Sequence, residues 1–176
     1  MNSAFEVKIL VDIETEPVTV EEAKDYMRIS NNAEDTLIEE LIISARERLE
    51  GFTGVNFGVK TMLCRWDYLQ DWAELPYQPN AVIDSILDDD GNTIIHQEKG
   101  LEYIKIYAVG SQGVNVTYDS GYSVLPKALK EAILKEVSTS YENRENYVIG
   151  EGATQLSNSA KMLAQRYKRN SFFGII

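Results

Sequence analysis

Apolar positions along the chain fall into two periods, and the places where the period changes predict its elements. At "EPVTVEEAKDYMRI", Val20, Ala23 and Met27 recur at helical spacing. Thr19 followed three residues later by Glu22 has the form of a capping box, so a helix is expected to open at Val20. "NNAED" interrupts the pattern and offers asparagine caps to a second helix. There Leu37, Ile38, Leu41, Ile42, Ala45 and Leu49 mark a buried stripe, with Gly51 and Gly54 as its expected stop. From Phe57 to Tyr122 the period becomes that of strands. "KTMLCRWDYL" is the first strand, "ELPYQPN" a proline-marked crossing, and "AVIDSILDDDGNTII" a hairpin turning at Asp90-Gly91. "YIKIYAVGSQGVNVTY" predicts a second hairpin turning at "GSQG". The helical period then returns through Leu129, Ile133, Val137 and Tyr141, with Pro126 suited to the first turn. "VIGEGATQ" reads as a link, and a last helix is expected from Leu156 to about Lys168, with Leu156, Ala160, Leu163 and Tyr167 on one side. Before the first helix, "FEVKILVDI" predicts a short strand or an extended arm.

This order gives an α+β class: a small helical bundle, a short antiparallel β-sheet of hairpins and a C-terminal helix. The 176 residues are enough for one domain with a real core, and a single domain over 1–176 is the expectation.

Charge changes the functional picture more than size does. The chain carries a net charge of -11, which opposes a broad nucleic-acid-binding surface. That charge is unevenly spread. From Ala153 to Ile176 there are four basic residues (Lys161, Arg166, Lys168, Arg169) and no acidic ones, so the preceding residues are more acidic still. One cysteine, Cys64, excludes an intrachain disulfide, and its apolar surroundings predict a buried, inert thiol. A single histidine, His96, excludes a site needing two imidazoles. No segment has the apolar length of a membrane span, and no signal peptide is expected.

The candidate chemistry is thin. "DDDGN" clusters carboxylates as a calcium loop does, but the EF-hand pattern would put Ile86 at its first ligand position and Gln97 at its last. A solvated hairpin turn is the better reading. The two N-terminal helices have helix-turn-helix order, yet the second carries Glu34, Asp35, Glu39, Glu40, Glu47 and Glu50 against Arg46 and Arg48, and would be repelled by phosphates. Phosphate-binding glycine loops, nucleophile elbows and metal-spaced histidine pairs are absent from the sequence. Catalytic, cofactor-binding and metal residues are therefore all predicted as none. A small hydrolase using a carboxylate pair stays open as the alternative from another class.

The order of the segments is more specific than any one of them. "EPVTVEEAKDYMRI" with "AEDTLIEELIISARERLEGFTG", then "ELPYQPNAVIDSILDDDGN", "VNVTYDSGY" and "LPKALKEAILKEVSTSYENRE", resembles the head–tail connector proteins of tailed bacteriophages. The resembling core covers residues 17–147, with 148–176 left as link and tail. The resemblance implies a structural virion protein, not an enzyme. It implies a homo-oligomeric ring, twelvefold in the virion, beneath the portal protein and above the next neck or tail-completion protein. DNA would pass its lumen without sequence-specific binding, no membrane would be involved, and assembly would take place in the host cytoplasm. Another neck or tail-completion protein is the alternative within the same tube. In the family the third helix ends in a polar run like that of Tyr141, Asn143, Arg144 and Glu145, suited to subunit contacts. The basic C-terminal segment, through Leu156, Leu163, Arg166, Tyr167, Lys168 and Arg169, is expected to reach a neighbouring subunit or the portal, with unlike charges steering the encounter.

Overall fold

The capping box forms as the sequence predicts. In the computed structural model, which describes residues 6–100, 103–143 and 156–169, the Thr19 hydroxyl accepts from the Glu22 N–H at 3.1 Å. The Glu22 carboxylate in turn accepts from the Thr19 N–H at 3.0 Å, and helix α1 (Val20–Met27) begins there. It closes at Arg28, which takes a left-handed φ of 60°. The Asn31 side chain accepts from the Ala33 N–H across the next turn, and α2 (Asp35–Thr53) follows. Its buried face is Ile38, Leu41, Ile42, Ala45 and Leu49, while Leu37 is half-buried.

Gly51 does not stop α2, as was expected of it, but lies within the helix. An interior glycine costs about 1 kcal/mol relative to alanine, and the buried residues around it, Leu49, Glu50 and Thr53, outweigh that. Termination falls to Gly54 alone, at φ 68°. Helix α3 (Lys127–Glu142) starts after Pro126 and buries Leu129, Ala132, Ile133 and Val137. Helix α4 (Asn158–Ala164) is shorter than its apolar pattern suggested and passes into a 3₁₀ turn, Gln165–Tyr167. These helices make up one compact unit, residues 15–53 and 124–168, in which α1, α2 and α3 pack together and α4 lies on α3.

The other unit comprises residues 1–14, 54–123 and 169–176, and its described part holds the strands. Strands β1 (Glu6–Val11), β2 (Lys60–Leu69), β7 (Ser111–Ser120) and β4 (Val82–Leu87) form an antiparallel sheet in that spatial order. A smaller sheet has the order β3 (Trp72–Glu74), β6 (Lys105–Tyr107), β5 (Gln97–Lys99). The alternation of β2 puts Met62, Cys64 and Trp66 on one face, where they meet Val114, Val116 and Tyr118 of β7 and Ile86 of β4. The Tyr118 hydroxyl donates to the Pro76 carbonyl at 2.9 Å, so its burial leaves no unpaired polar group. Burial pushes the Cys64 thiol far above its ordinary pKa, which makes it a core side chain rather than a nucleophile.

Neither hairpin pairs as expected. The Asp90-Gly91 turn forms, with Gly91 at φ 83°, the Asp88 N–H donating to the Asn92 carbonyl and the Ile94 N–H to that of Ile86. Its return arm, however, makes only the bridge Leu87–Thr93, and the long partner of β4 is β7. The second hairpin does not exist. The chain turns two residues earlier, where the Ser111 N–H donates to the Ala108 carbonyl and Gly110 takes φ 76°. On either side of that turn β6 and β7 belong to different sheets. A period of two specifies which face a residue takes and is silent about which strand lies beside it.

Two substitutions test this packing. Ile133→Ala removes a fully buried side chain from the helical unit and is expected to lower unfolding free energy by about 2–5 kcal/mol in a denaturant titration. Gly121, at φ 128°, ends β7 where an added Cβ would fall against the Gly58 carbonyl. Gly121→Ala should therefore cost more than about 1 kcal/mol. An unchanged denaturation midpoint for either variant contradicts the packing described.

Candidate assembly surfaces

Placement of the C-terminal segment depends on one buried carboxylate. Glu136 of α3 is only 2% exposed. One of its oxygens pairs with the Arg48 guanidinium of α2 at 2.8 Å. The other accepts from the Ser157 N–H at 2.9 Å, at the N-cap of α4. Arg48 also donates to the Ser140 hydroxyl and the Ser44 carbonyl. The Ser157 hydroxyl accepts from the Ala160 N–H, and Ala160 and Ala164 turn inward behind it. A carboxylate this deep is tolerable only with both oxygens engaged.

The ten residues nominated as contacts take different positions. Tyr141 is half-buried, and its hydroxyl donates to the Glu34 carboxylate within the helical unit. Asn143 caps its own helix, its backbone and side-chain N–H groups both donating to the Thr139 carbonyl at 3.1 and 2.8 Å. Arg144 and Glu145 lie outside the described residues. Leu156 is buried in the subunit, and Leu163 is only half-buried. The inward face of α4 is thus Leu156, Ala160 and Ala164, a correction to the stripe expected through Leu163 and Tyr167. The helix is shorter than its pattern, and the 3₁₀ turn changes the spacing before Tyr167.

The cations divide in the same way. Arg169 stacks on the Tyr103 ring at 4.1 Å and pairs with Glu74. Burial pushes its guanidinium down to about 10, still charged at neutral pH, so the pair consists of two ions. Lys168 lies over the Phe52 ring at 4.6 Å. Arg166, exposed on the 3₁₀ turn, faces the half-buried Tyr167 ring. Arg169 and Leu156 are therefore engaged in their own subunit, as Tyr141 and Asn143 are. Tyr167, Lys168, Arg166 and the outward side of α4, where Met162 is exposed, remain open to solvent in whole or part.

Nothing in the acidic turn is arranged for catalysis. The Asp88 carboxylate accepts from the Asn92 side-chain amide and from the Asn92 and Asp90 N–H groups. The Asn92 contacts hold its carboxyl below the usual range. Asp89 pairs with Arg65 at 2.9 Å and accepts from Asn115. Among the described residues, no group of three or more His, Cys, Asp or Glu side chains is placed to hold a metal ion, and no helix is long and apolar enough to cross a membrane.

Open apolar surface lies instead at the strand edges. Among the described residues β1 pairs only with β2, and it exposes three consecutive apolar residues, Ile9, Leu10 and Val11, at 45, 46 and 55%. At the opposite edge Val82 of β4 is 67% exposed. Sequence reading missed these edges. The signal was the unbroken run "ILV", which departs from strand alternation.

The buried carboxylate gives a direct test. Glu136→Gln leaves the Arg48 cation beside a neutral amide. It is expected to cost roughly 3 kcal/mol, the low end for a broken buried pair because Arg48 keeps some solvent access. Thermal unfolding at neutral pH measures it, and Glu136→Gln with Arg48→Met should recover part of the loss.

Comparison with known proteins now bears on these surfaces. Residues 17–94 match the family model of the phage gp6-like head-tail connector proteins. No curated protein matches the chain in sequence. Among solved structures, a chain in the virion of a native gene transfer agent particle superposes with a TM-score of 0.74 at 18% identity, covering 97% of this chain and 98% of that one. Chains in the neck of the empty particle, computed with C6 symmetry, and of the native particle, computed with C12 symmetry, superpose with TM-scores of 0.70 over the same shares, at 18% and 17% identity. The resemblance to phage head–tail connectors is thus established over residues 17–94, and nearly the whole chain has the fold of a protein in the neck of a phage-like particle.

Proposed function

We propose that the protein is a structural connector of a phage-like virion, joining the DNA-filled head to the tail. The observation that carries this reading is the connector-family match over residues 17–94 on a chain whose fold covers 97% of its length in common with a particle-neck protein. Copies form a homo-oligomeric ring, twelvefold like the symmetry of the neck that it resembles. Each ring contact is heterologous, one patch meeting a different patch on the next copy. One side of the ring meets the portal protein and the other the next neck or tail-completion protein, and DNA passes the lumen without sequence-specific binding. The net charge of -11 supports that passage, because an acidic wall does not grip phosphates. The ring takes its place in the neck after assembly in the host cytoplasm.

Within this reading the candidate contact residues at the ring or portal surface are Tyr141, Asn143, Arg144, Glu145, Leu156, Leu163, Arg166, Tyr167, Lys168 and Arg169, of which Leu156 is the most buried in its own subunit. The reading assigns no catalytic step, metal or cofactor to the chain. Particles produced without the protein should package DNA into heads that carry no tails, and adding it back should restore tailed particles. Tailed, infectious or transducing particles formed without it would overturn the proposal. Electron microscopy of the assembled protein should show rings of twelve subunits.

A further inference from the structure

Among the described residues, the four-stranded sheet has two open sides. Its strands alternate in direction from β1 through β2 and β7 to β4, so the two terminal strands run in opposite senses. Rotation about an axis along the strands preserves direction, so a copy placed beside the first by such a rotation brings its β1 antiparallel to β4. No strand has to reverse for the sheet to continue from copy to copy. A sheet with an odd number of antiparallel strands would not have this property.

Edges left open in stable proteins are normally blunted by charge, bulges or cover, because unpaired N–H and C=O groups recruit other strands. Here β1 offers Ile9, Leu10 and Val11 exposed in succession, with Lys8 before them. Leu10 is a bulge with no partner on β2, since Ile9 stands opposite Met62 and Val11 opposite Thr61, so its backbone groups are left to the outer side. On β4 the return arm of the Asp90-Gly91 turn covers the outer side at Ile86 and Leu87. What remains is the stretch from Val82 to Ser85. Within it Asp84 has no partner on β7, since Ile83 stands opposite Tyr118 and Ser85 opposite Thr117.

The side chains select one alignment of these edges. Ile9 stands opposite the buried Met62, and Ile83 opposite the buried Tyr118, so both belong to the core face of the sheet. Setting Ile9 of one copy opposite Ile83 of the next carries that face across the seam. The same antiparallel register sets Leu10 opposite the exposed Val82 and the Lys8 cation opposite the Asp84 carboxylate. A shift of one residue would put Ile9 opposite Asp84 or Val82 and send core-face side chains to the wrong side.

We propose that the β1 edge of one subunit pairs with the β4 edge of the next, antiparallel and in the register Lys8–Asp84, Ile9–Ile83, Leu10–Val82, and that this seam is a ring contact. It rests on the connector reading, which requires two different complementary patches on each subunit, and the two edges supply such a pair. Three cross-strand pairs are a modest contact individually, each contributing about 0.2–1 kcal/mol. Closure of a ring repeats the seam at every subunit.

The test uses the full chain carrying Leu10→Cys and Val82→Cys. Directly opposite residues on antiparallel strands have Cα atoms about 4.5–5.5 Å apart, within disulfide range, and the native Cys64 is buried. Mild oxidation of assembled protein should give a ladder of covalent multimers on non-reducing gels. Each single variant should give none, and a mixture of the two should give dimers. Rings visible by electron microscopy without a ladder would overturn the seam while leaving the connector reading intact. Dimers from Leu10→Cys alone would show β1 meeting itself and would also overturn it. If the paired cysteines prevent ring formation, the charge pair decides. Lys8→Glu and Asp84→Lys should each raise the concentration needed for half-assembly several-fold, and combining them should restore it. Assembly indifferent to both reversals sinks the proposal. Failure of the unaltered chain to form rings, alone or on portal-bearing heads, would count against the connector reading itself.

Discussion

The ladder between β2 and β7 is the constraint on which the strand unit depends. It runs from Lys60 opposite Ser120 to Leu69 opposite Ser111, joining two strands separated by a long stretch of sequence. Because both are interior, their alternate side chains Met62, Cys64 and Trp66 from one and Val114, Val116 and Tyr118 from the other, with Leu69 at the end of β2, supply most of the core. Once this pair is formed, β1 and β4 can only be added at its two sides, and they become the edges. The exposure of "ILV" on β1 and of Val82 on β4 follows from that order.

The helical unit has a comparable centre in Glu136. Apolar stripes on α2 and α3 would pack against each other without it, as Leu41, Leu49, Ile133 and Val137 are placed to do. The buried carboxylate adds direction, since it is satisfied only when Arg48 arrives from α2 and the Ser157 N–H from the start of α4. A second buried pair in the same unit, Arg46 with Glu50 at 2.9 Å and with Glu16 at 2.9 Å, ties the approach to α1 onto α2. Such ion pairs add little net stability over apolar residues of equal size, but each is costly to break from one side. Their effect is on arrangement: α4 is held on α3.

This division would suit the structural connector proposed above. Buried pairs fix the helical unit and a long ladder the strand unit, while strand edges and partly exposed cations stay open among the described residues. The polar end of α3 illustrates how the two requirements share residues. Tyr141 reaches Glu34 and Asn143 caps the helix, so the run that ends α3 first completes its own subunit.

Local chemistry was legible in the sequence wherever one short segment decided the outcome. The capping box of Thr19 and Glu22, the strand "KTMLCRWDYL" over Lys60–Leu69, the turn at Asp90-Gly91 and the α2 and α3 stripes depend on residues a few positions apart, and each forms. The α+β class follows from their order, as does the resemblance to head–tail connectors. Tertiary structure decided everything that depends on a distant partner. Alternation could not show that β4 would take β7 in place of its own return arm, or that β6 and β7 would part into separate sheets, because faces are encoded locally and neighbours are not. Gly51 was misread as a stop because the surrounding burial that outweighs its helix cost comes from packing. Likewise, four cations in sequence look like one basic arm. Only the fold shows that Arg169 is held by Glu74 and Tyr103 while Arg166 faces solvent, since charge is a property of the chain and exposure a property of what lies against it.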